Sequence, residues 1–257
     1  NNDIKRGETK KIENNNNNDK IPKIVFKTSP NDLDNLNSDI IFLFNKIIKD
    51  NPDFKIEYYD DNDAREFVKN NYDMDVLMAY DKLKPGAYKA DLFRYCVLYK
   101  RGGIYSDISQ MFKVPFDEII NFEEDNLVLV EDRPQVNFTG PEKWKKYNKA
   151  IQISFMATRP NNSIYLDSIK EIVKNCKENF YGWNPLSPTG PQLFYRMLEK
   201  YDGDYKVDIY MKNSNELSLK KDDKTVIFCR SKNHYKKNLN NNLHYSVLWK
   251  MNNIYNF

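Results

Sequence analysis

The chain reads as an α/β protein with a largely parallel sheet, and three consecutive stretches predict it. "IPKIVFKT" (21–28) is a short run containing β-branched residues after Pro22, the pattern of a first strand. "DLDNLNSDIIFLFNKIIKDNP" (32–52) places apolar residues at 36, 40, 43, 44, 47 and 48, a helical spacing, with Pro52 just past its end. "FKIEYYD" (54–60) is a second strand, and "DNDAREFVKNNY" (61–72) a second helix with an acidic first turn. Strand, helix, strand, helix is the opening of a βαβ protein.

The remaining elements follow in order. Residues 73–83 are helical, Pro85-Gly86 punctuates, and "AYKADLFRYCVLYK" (87–100) is a strong helix. "GGIYSDI" (102–108) is a turn and a short strand, and "NLVLVED" (126–132) and "AIQISFMAT" (150–158) are strands. "SIYLDSIKEIVKNC" (163–176) and "GPQLFYRMLEKY" (190–201) are helices; the end, from "TVIFCR" to "HYSVLWKM", mixes strands and loops. Residues 1–20, with their "NNNNN", are expected to be a disordered polar lead-in, and 21–257 one domain. The Asn-rich patch at 240–242 is expected to be a surface loop, and there is no internal repeat.

Composition excludes more than it assigns. With 257 residues, 40% of them hydrophobic, the chain is long enough for a sizeable core. The abundance of Tyr, Phe, Asn, Lys and Ile matches A/T-rich codons and says little about function. Forty basic and 37 acidic residues are interspersed, giving a formal +3, so charge gives no support for nucleic-acid binding. Cys96, Cys176 and Cys229 are too scattered for a disulfide framework or a metal knuckle. No apolar run approaches the ~20 residues of a membrane span, and no signal peptide is visible. The chain does not begin with Met, which leaves room for a signal or anchor beyond it; cytoplasm and secretory-pathway lumen both stay open. "NFT" at Asn137 and "NNS" at Asn161 fit the glycosylation pattern, as Asn-rich sequence does by chance.

The helix at 87–100 is apolar nearly all round, yet Asp91 and Arg94 sit inside it, three apart and on one face. Buried charge is expensive unless paired or used. Two readings are open: an internal pair that locks the helix, or a polar edge facing a pocket. Gly102-Gly103 can cap this helix and turn into the next strand, near whose end Asp107 stands. Ligands gather at the carboxyl ends of strands in open α/β sheets, so Asp91, Arg94 and Asp107 can converge there, although Asp107 alone also suits a turn.

"KADLFRYCVLYKRGGIYSDIS" (89–109) resembles the core motif of the DXD sugar-binding glycosyltransferases, which include initiating α-1,6-mannosyltransferases and share a core with clostridial glucosylating toxins. The pattern, roughly A-x-D-x-x-R-Y-x-x-L-Y-x-x-G-G-x-Y-x-D-x-D, is met at Ala90 (shifted by one), Asp91, Arg94, Tyr95, Leu98, Tyr99, Gly102, Gly103, Tyr105 and Asp107. "IPKIVFKTS", "ATRPNNSIYLDSIKEI", the T-G-P turn at Thr189–Pro191 and "LHYSVLWKM", with His244 and Trp249, resemble further family segments, so the likeness spans roughly 21–250. Two departures stand out. The first strand has Phe26-Lys27-Thr28-Ser29 where the family often has His-Gln-x-Trp, and Ser109 replaces the second acid of the D-x-D.

The resemblance implies a GT-A type, Rossmann-like fold with a mostly parallel central sheet and added helices. It implies transfer of a hexose from a UDP- or GDP-linked donor to a glycan or protein acceptor, with retention of anomeric configuration. It also implies a Mn²⁺ or Mg²⁺ ion at the diphosphate, an ion that takes hard oxygen ligands. By that resemblance Asp91, Arg94 and Asp107 are the catalytic set. Asp91 and Arg94 face the donor sugar hydroxyls and departing diphosphate, and Asp107 the ribose and metal. Tyr105, Ser109 and Trp249 complete the donor contacts, and Asp107, Ser109 and His244 are the metal ligands. His244 also suits an ordinary surface loop. In an extended D-x-D both acids lie on one face, because side chains alternate with period two; serine keeps the place as a weaker, neutral ligand. Glu131 and Asp132, after the strand 126–130, are acceptor-side candidates or simply a solvated strand end; no nucleophile is assigned. A second reading, favoured by Ser109, is a catalytically silent member of the fold that binds nucleotide or sugar. Retention of Asp91, Arg94 and Asp107 opposes it. If position 109 faces the metal, Ser109→Asp tightens Mn²⁺ binding in calorimetry; an unchanged affinity removes Ser109 from the metal's surroundings.

Overall fold

A computed structural model describes residues 3–12, 19–132, 151–211, 218–229 and 243–256. The strands are β1 (Ile4–Arg6), β2 (Ile24–Thr28), β3 (Lys55–Tyr59), β4 (Gly103–Ser106), β5 (Gln110–Phe112), β6 (Leu127–Glu131), β7 (Phe155–Thr158), β8 (Lys206–Met211), β9 (Ser218–Lys221) and β10 (Lys224–Cys229). The helices are α1 (Ser38–Asp50), α2 (Asp61–Asn71), α3 (Met74–Lys82), α4 (Gly86–Arg101), α5 (Ser163–Lys177), α6 (Pro191–Leu198) and α7 (Tyr245–Lys250). Among the described residues ten strands join one sheet in the order β1-β3-β2-β4-β7-β6-β8-β9-β10-β5.

The parallel character expected from the sequence resides in β1, β3, β2 and β4, and again in β6 beside β8. The other pairings are antiparallel. From β2 the chain passes through α1 to β3 on one side, then through α2, α3 and α4 to β4 on the other. The order reverses at β2, so the carboxyl ends of β2 and β4 flank a topological switch point, where open α/β sheets form their crevices.

Period-two alternation divides the core. Val25, Ile104, Val128 and Phe155 pack with Leu43, Phe44 and Ile47 of α1 and with Phe112 and Phe116. Phe26, Tyr105, Leu129 and Met156 face the opposite layer, with Phe67, Phe93, Leu98, Ile169 and Phe194 from the other helices. α1 begins at Asn37, whose side chain accepts from the Ile40 amide, and α2 at Asp60, which accepts from Asn62 and Asp63. α4 ends as its glycines suggest. Gly102 (φ 60°) donates to the Leu98 carbonyl, and Gly103 (φ 96°) opens β4.

Three expectations change. The lead-in is not wholly disordered. Ile4–Arg6 pair in parallel with β3, Arg6 reaches Asp60 and Asp63, and Asn71 binds the backbone at Lys10 and Ile12. Main-chain pairing needs no apolar signature, so polarity hid it; "NNNNN" itself lies outside the described residues. Second, "HYSVLWKM" contains a helix whose Tyr245, Leu248 and Trp249 turn toward the core at i, i+3 and i+4. Its aromatic and β-branched composition suggested otherwise. Third, β5, β8 and β9 appear where no strand was assigned. β9 and β10 form a hairpin through Asp222 and Asp223, both at positive φ, as a two-residue primed turn requires. The Asn-rich patch at 240–242, expected to be a loop, and Asn137 lie outside the described residues, whereas Asn161 stands exposed before α5.

A Cβ at Gly102 would lie 2.6 Å from the Pro160 nitrogen and 2.8 Å from the Thr158 carbonyl oxygen, in addition to the positive φ. Gly102→Ala is therefore expected to cost about 2–3 kcal/mol in denaturant unfolding; a loss below half a kcal/mol would mean the backbone there is not constrained.

Candidate functional site

The charges inside α4 meet the carboxyl end of β4. Asp91 and Arg94 form an ion pair at 3.2 Å, both buried. The Arg94 Nη1 atom lies 3.5 Å from Asp107 Oδ1 and donates to the Ile153 carbonyl at 2.6 Å. The guanidinium also lies over the Tyr105 ring, 4.3 Å from its centroid. The internal pair and the polar edge thus prove to be one arrangement: the pair locks α4 and carries its charge to the switch point.

The loop before α6 closes the other side. Thr189 donates from its hydroxyl to Asp91 Oδ2 at 2.8 Å, and Tyr95 donates to the Thr189 carbonyl at 3.1 Å. A Cβ at Gly190 would lie 3.4 Å from that same Asp91 oxygen, so the turn runs directly beside the carboxylate. Pro191 occupies the first turn of α6. The T-G-P signal in the sequence therefore marks a wall of the site.

Burial is the main influence on both acids. It pushes Asp91 up to about 6 against the opposing pull of Arg94 and Thr189. Burial also raises Asp107, with Arg94 and Lys27 acting the other way, although about a third of its side chain is exposed. Burial alone would lower Arg94, but Tyr105, Asp91 and Asp107 hold it above its ordinary value, so it stays a cation. Burial, then the charges of Asp91 and Asp107, raises Tyr245 on α7. Its ring lies 5.8 Å from that of Tyr88. The C-terminal helix therefore adjoins the site through Tyr245.

The other expected residues divide. Tyr105 supports Arg94. Ser109 is buried in a turn, 107–110, in which the Gln110 amide donates to the Asp107 carbonyl at 3.1 Å. This corrects the extended geometry expected for the motif: a turn breaks the alternation that would put positions 107 and 109 on one face. His244 caps α7, its Nδ1 2.7 Å from the Ser246 hydroxyl. Trp249 is half-buried and donates from its indole to the Tyr181 carbonyl at 2.7 Å. Glu131 is exposed at the end of β6. Burial, more than the charges of Asp107 and Asp132, raises the Cys229 thiol at the end of β10.

One participant was missed. Lys27, in β2, is buried and donates to the Ser106 hydroxyl at 2.7 Å and to the Asp107 carbonyl at 3.1 Å. Burial lowers it to about 7, with Asp107 opposing. A lysine two residues after Val25 in a buried strand was the available signal. Among the described residues, no three His, Cys, Asp or Glu side chains group as metal ligands. Asp107 already faces Arg94, Ser109 is buried, and His244 is engaged as a cap. These residues do not compose a divalent-cation site by themselves.

Comparison with known proteins bears on this geometry.

Residues 37–125 match the family model described as the glycosyltransferase sugar-binding region containing DXD motif.

That stretch runs from α1 through α4 to the residues before β6, and holds Asp91, Arg94 and Asp107. An uncharacterized glycosyltransferase of Acanthamoeba polyphaga mimivirus is 35% identical over 91 residues, 35% of this chain and 36% of that protein. The initiation-specific alpha-1,6-mannosyltransferase of Candida albicans is 37% identical over 76 residues, 29% of this chain and 20% of the relative. The matches thus span about a third or less of these curated relatives. Among solved structures, PaToxG Glycosyltransferase aligns with a TM-score of 0.50 at 19% identity, over 71% of this chain and 70% of that one. The fold is the GT-A type expected from the sequence.

Between the ordinary 3.8 and about 6, folded Asp91 keeps a proton that the unfolded chain has lost. This group's contribution to stability therefore falls as pH rises through that window, and the carboxylate is fully charged only above it. Thr189→Val removes a hydrogen bond that favours the charged form. The Asp91 carboxyl resonance in carbon-13 NMR should then titrate above about 6; an unmoved midpoint would show that Thr189 does not act on it.

Proposed function

We propose that this chain transfers a hexose from a UDP- or GDP-linked nucleotide-sugar to a glycan or protein acceptor, with retention of anomeric configuration. The observation that carries this reading is the convergence of Asp91, Arg94 and Asp107 at the switch point of the sheet. Carboxylates fixed in a dry wall are strong acceptors for sugar hydroxyls, and they are most useful where no reorganisation is needed. Asp91 accepts from the donor sugar; Arg94 orients both acids and faces the charge that grows on the departing diphosphate. Asp107, the more exposed acid, takes the ribose. Glu131 and Asp132, at the end of β6, belong to the acceptor side.

The yeast relative acts as an alpha-1,6-mannosyltransferase, which makes mannose the first sugar to test. The competing reading, a silent fold that binds nucleotide or sugar, draws on Ser109 and predicts binding without turnover. A donor-hydrolysis screen across UDP- and GDP-sugars, with and without Mn²⁺, separates them. Sugar release with at least one donor is expected, falling about 100-fold or more in Asp91→Asn at similar melting temperature. Binding with no release from any donor would leave the silent reading; neither binding nor release would sink both.

A further inference from the structure

Lys27 is a basic group buried in an otherwise apolar layer. None of its surface is exposed, and its ammonium lies among the apolar residues of the α1 face, 5.7 Å from the Phe112 ring centroid and 5.9 Å from that of Phe44. A buried ammonium is costly unless the site uses it. Its hydrogen bonds go to one short segment. It donates to Ser106 and to the Asp107 carbonyl; Ser106 donates to Gln110 Oε1 at 2.8 Å; Gln110 donates to the Ser154 hydroxyl at 3.0 Å. The Asp107 amide donates to the Ser154 carbonyl at 2.8 Å. The Asp107–Gln110 turn is thus held from below by a polar layer that begins at Lys27.

The charges are arranged in the same sense. Asp107 has Arg94 on the α4 face at 3.5 Å and Lys27 on the opposite face, beneath its backbone. A second carboxylate at position 109 would add a negative charge that needs an ion; Ser109 adds none. We propose that Lys27 is a positioning residue that braces the Asp107–Gln110 turn and supplies, from inside the sheet, the counter-charge that an ion gives a two-acid motif, so that a nucleoside diphosphate binds without metal. The diphosphate half of this inference rests on the donor reading above; the charge half does not.

The test uses Lys27→Met, which keeps the volume and removes a costly buried charge, and Lys27→Gln, which keeps polar contacts without charge. UDP and GDP are titrated calorimetrically into each protein in EDTA and in Mn²⁺, and Mn²⁺ alone is titrated by electron paramagnetic resonance. The wild type is expected to bind one nucleotide in EDTA. Both variants should weaken that binding about tenfold or more, regain it with Mn²⁺, and hold Mn²⁺ alone more tightly than the wild type. The inference is overturned if the wild type needs Mn²⁺, if Lys27→Gln behaves as wild type, or if the lost affinity does not return with Mn²⁺, as for a merely structural role. Should neither nucleotide bind the wild type at all, the donor reading fails, and the Mn²⁺ titration still decides: equal or weaker Mn²⁺ binding in the variants removes Lys27 as a counter-charge.

Discussion

Arg94 lies on the inner side of α4 with its guanidinium shielded from water, and a charge so placed persists only where the protein supplies its partners. Asp91 one turn earlier, Asp107 beyond β4, the Tyr105 ring and the Ile153 carbonyl all do so. The partners come from α4 itself, from the end of β4 and from the segment before β7. The guanidinium therefore fixes the angle between α4 and β4, and the approach of the segment before β7. The loop carrying Thr189 is tied to the same centre through Asp91. Removing this one side chain would leave the buried Asp91 and the partly exposed Asp107 without the cation they share.

The sheet sorts chemistry onto its two faces. Asp107 follows Tyr105 toward α4, whereas Ser106 follows Ile104 toward α1, where Lys27 waits. The upper layer presents charge to the crevice; the lower layer holds the backbone that presents it. A turn rather than an extended strand joins the two, because Asp107, Gln110 and Ser154 satisfy one another's polar groups there.

Much of this was legible before the structure. Six of the helices announced themselves through apolar spacing and capping residues. Asp91 and Arg94 stood out as charges in an otherwise apolar helix, and the paired glycines marked the turn that leads to Asp107. What stayed hidden had little periodicity to show. β5 has three residues, and β8 and β9 alternate weakly among lysines and acids. The edge strand β1 uses main-chain bonds, which composition does not report. The turn at 107–110 depends on side chains distant in sequence, so local pattern alone favoured an extended motif. Lys27 was noticed only as a departure from a family pattern, although its place in a buried strand carried the same message as Asp91 in its helix.

The order of strands has one more consequence, for the behaviour of the molecule in company. A ten-stranded sheet has two open margins, and each is a template for pairing with another molecule. Among the described residues the margins are β1 and β5, each three residues long. β1 carries Lys5 and Arg6, with Arg6 already committed to Asp60 and Asp63. β3, five residues of which four are buried, is paired on both sides. Among the described residues the short polar strand β1 thus acts as a selvage, putting a brief, charged margin where β3 would otherwise lie open.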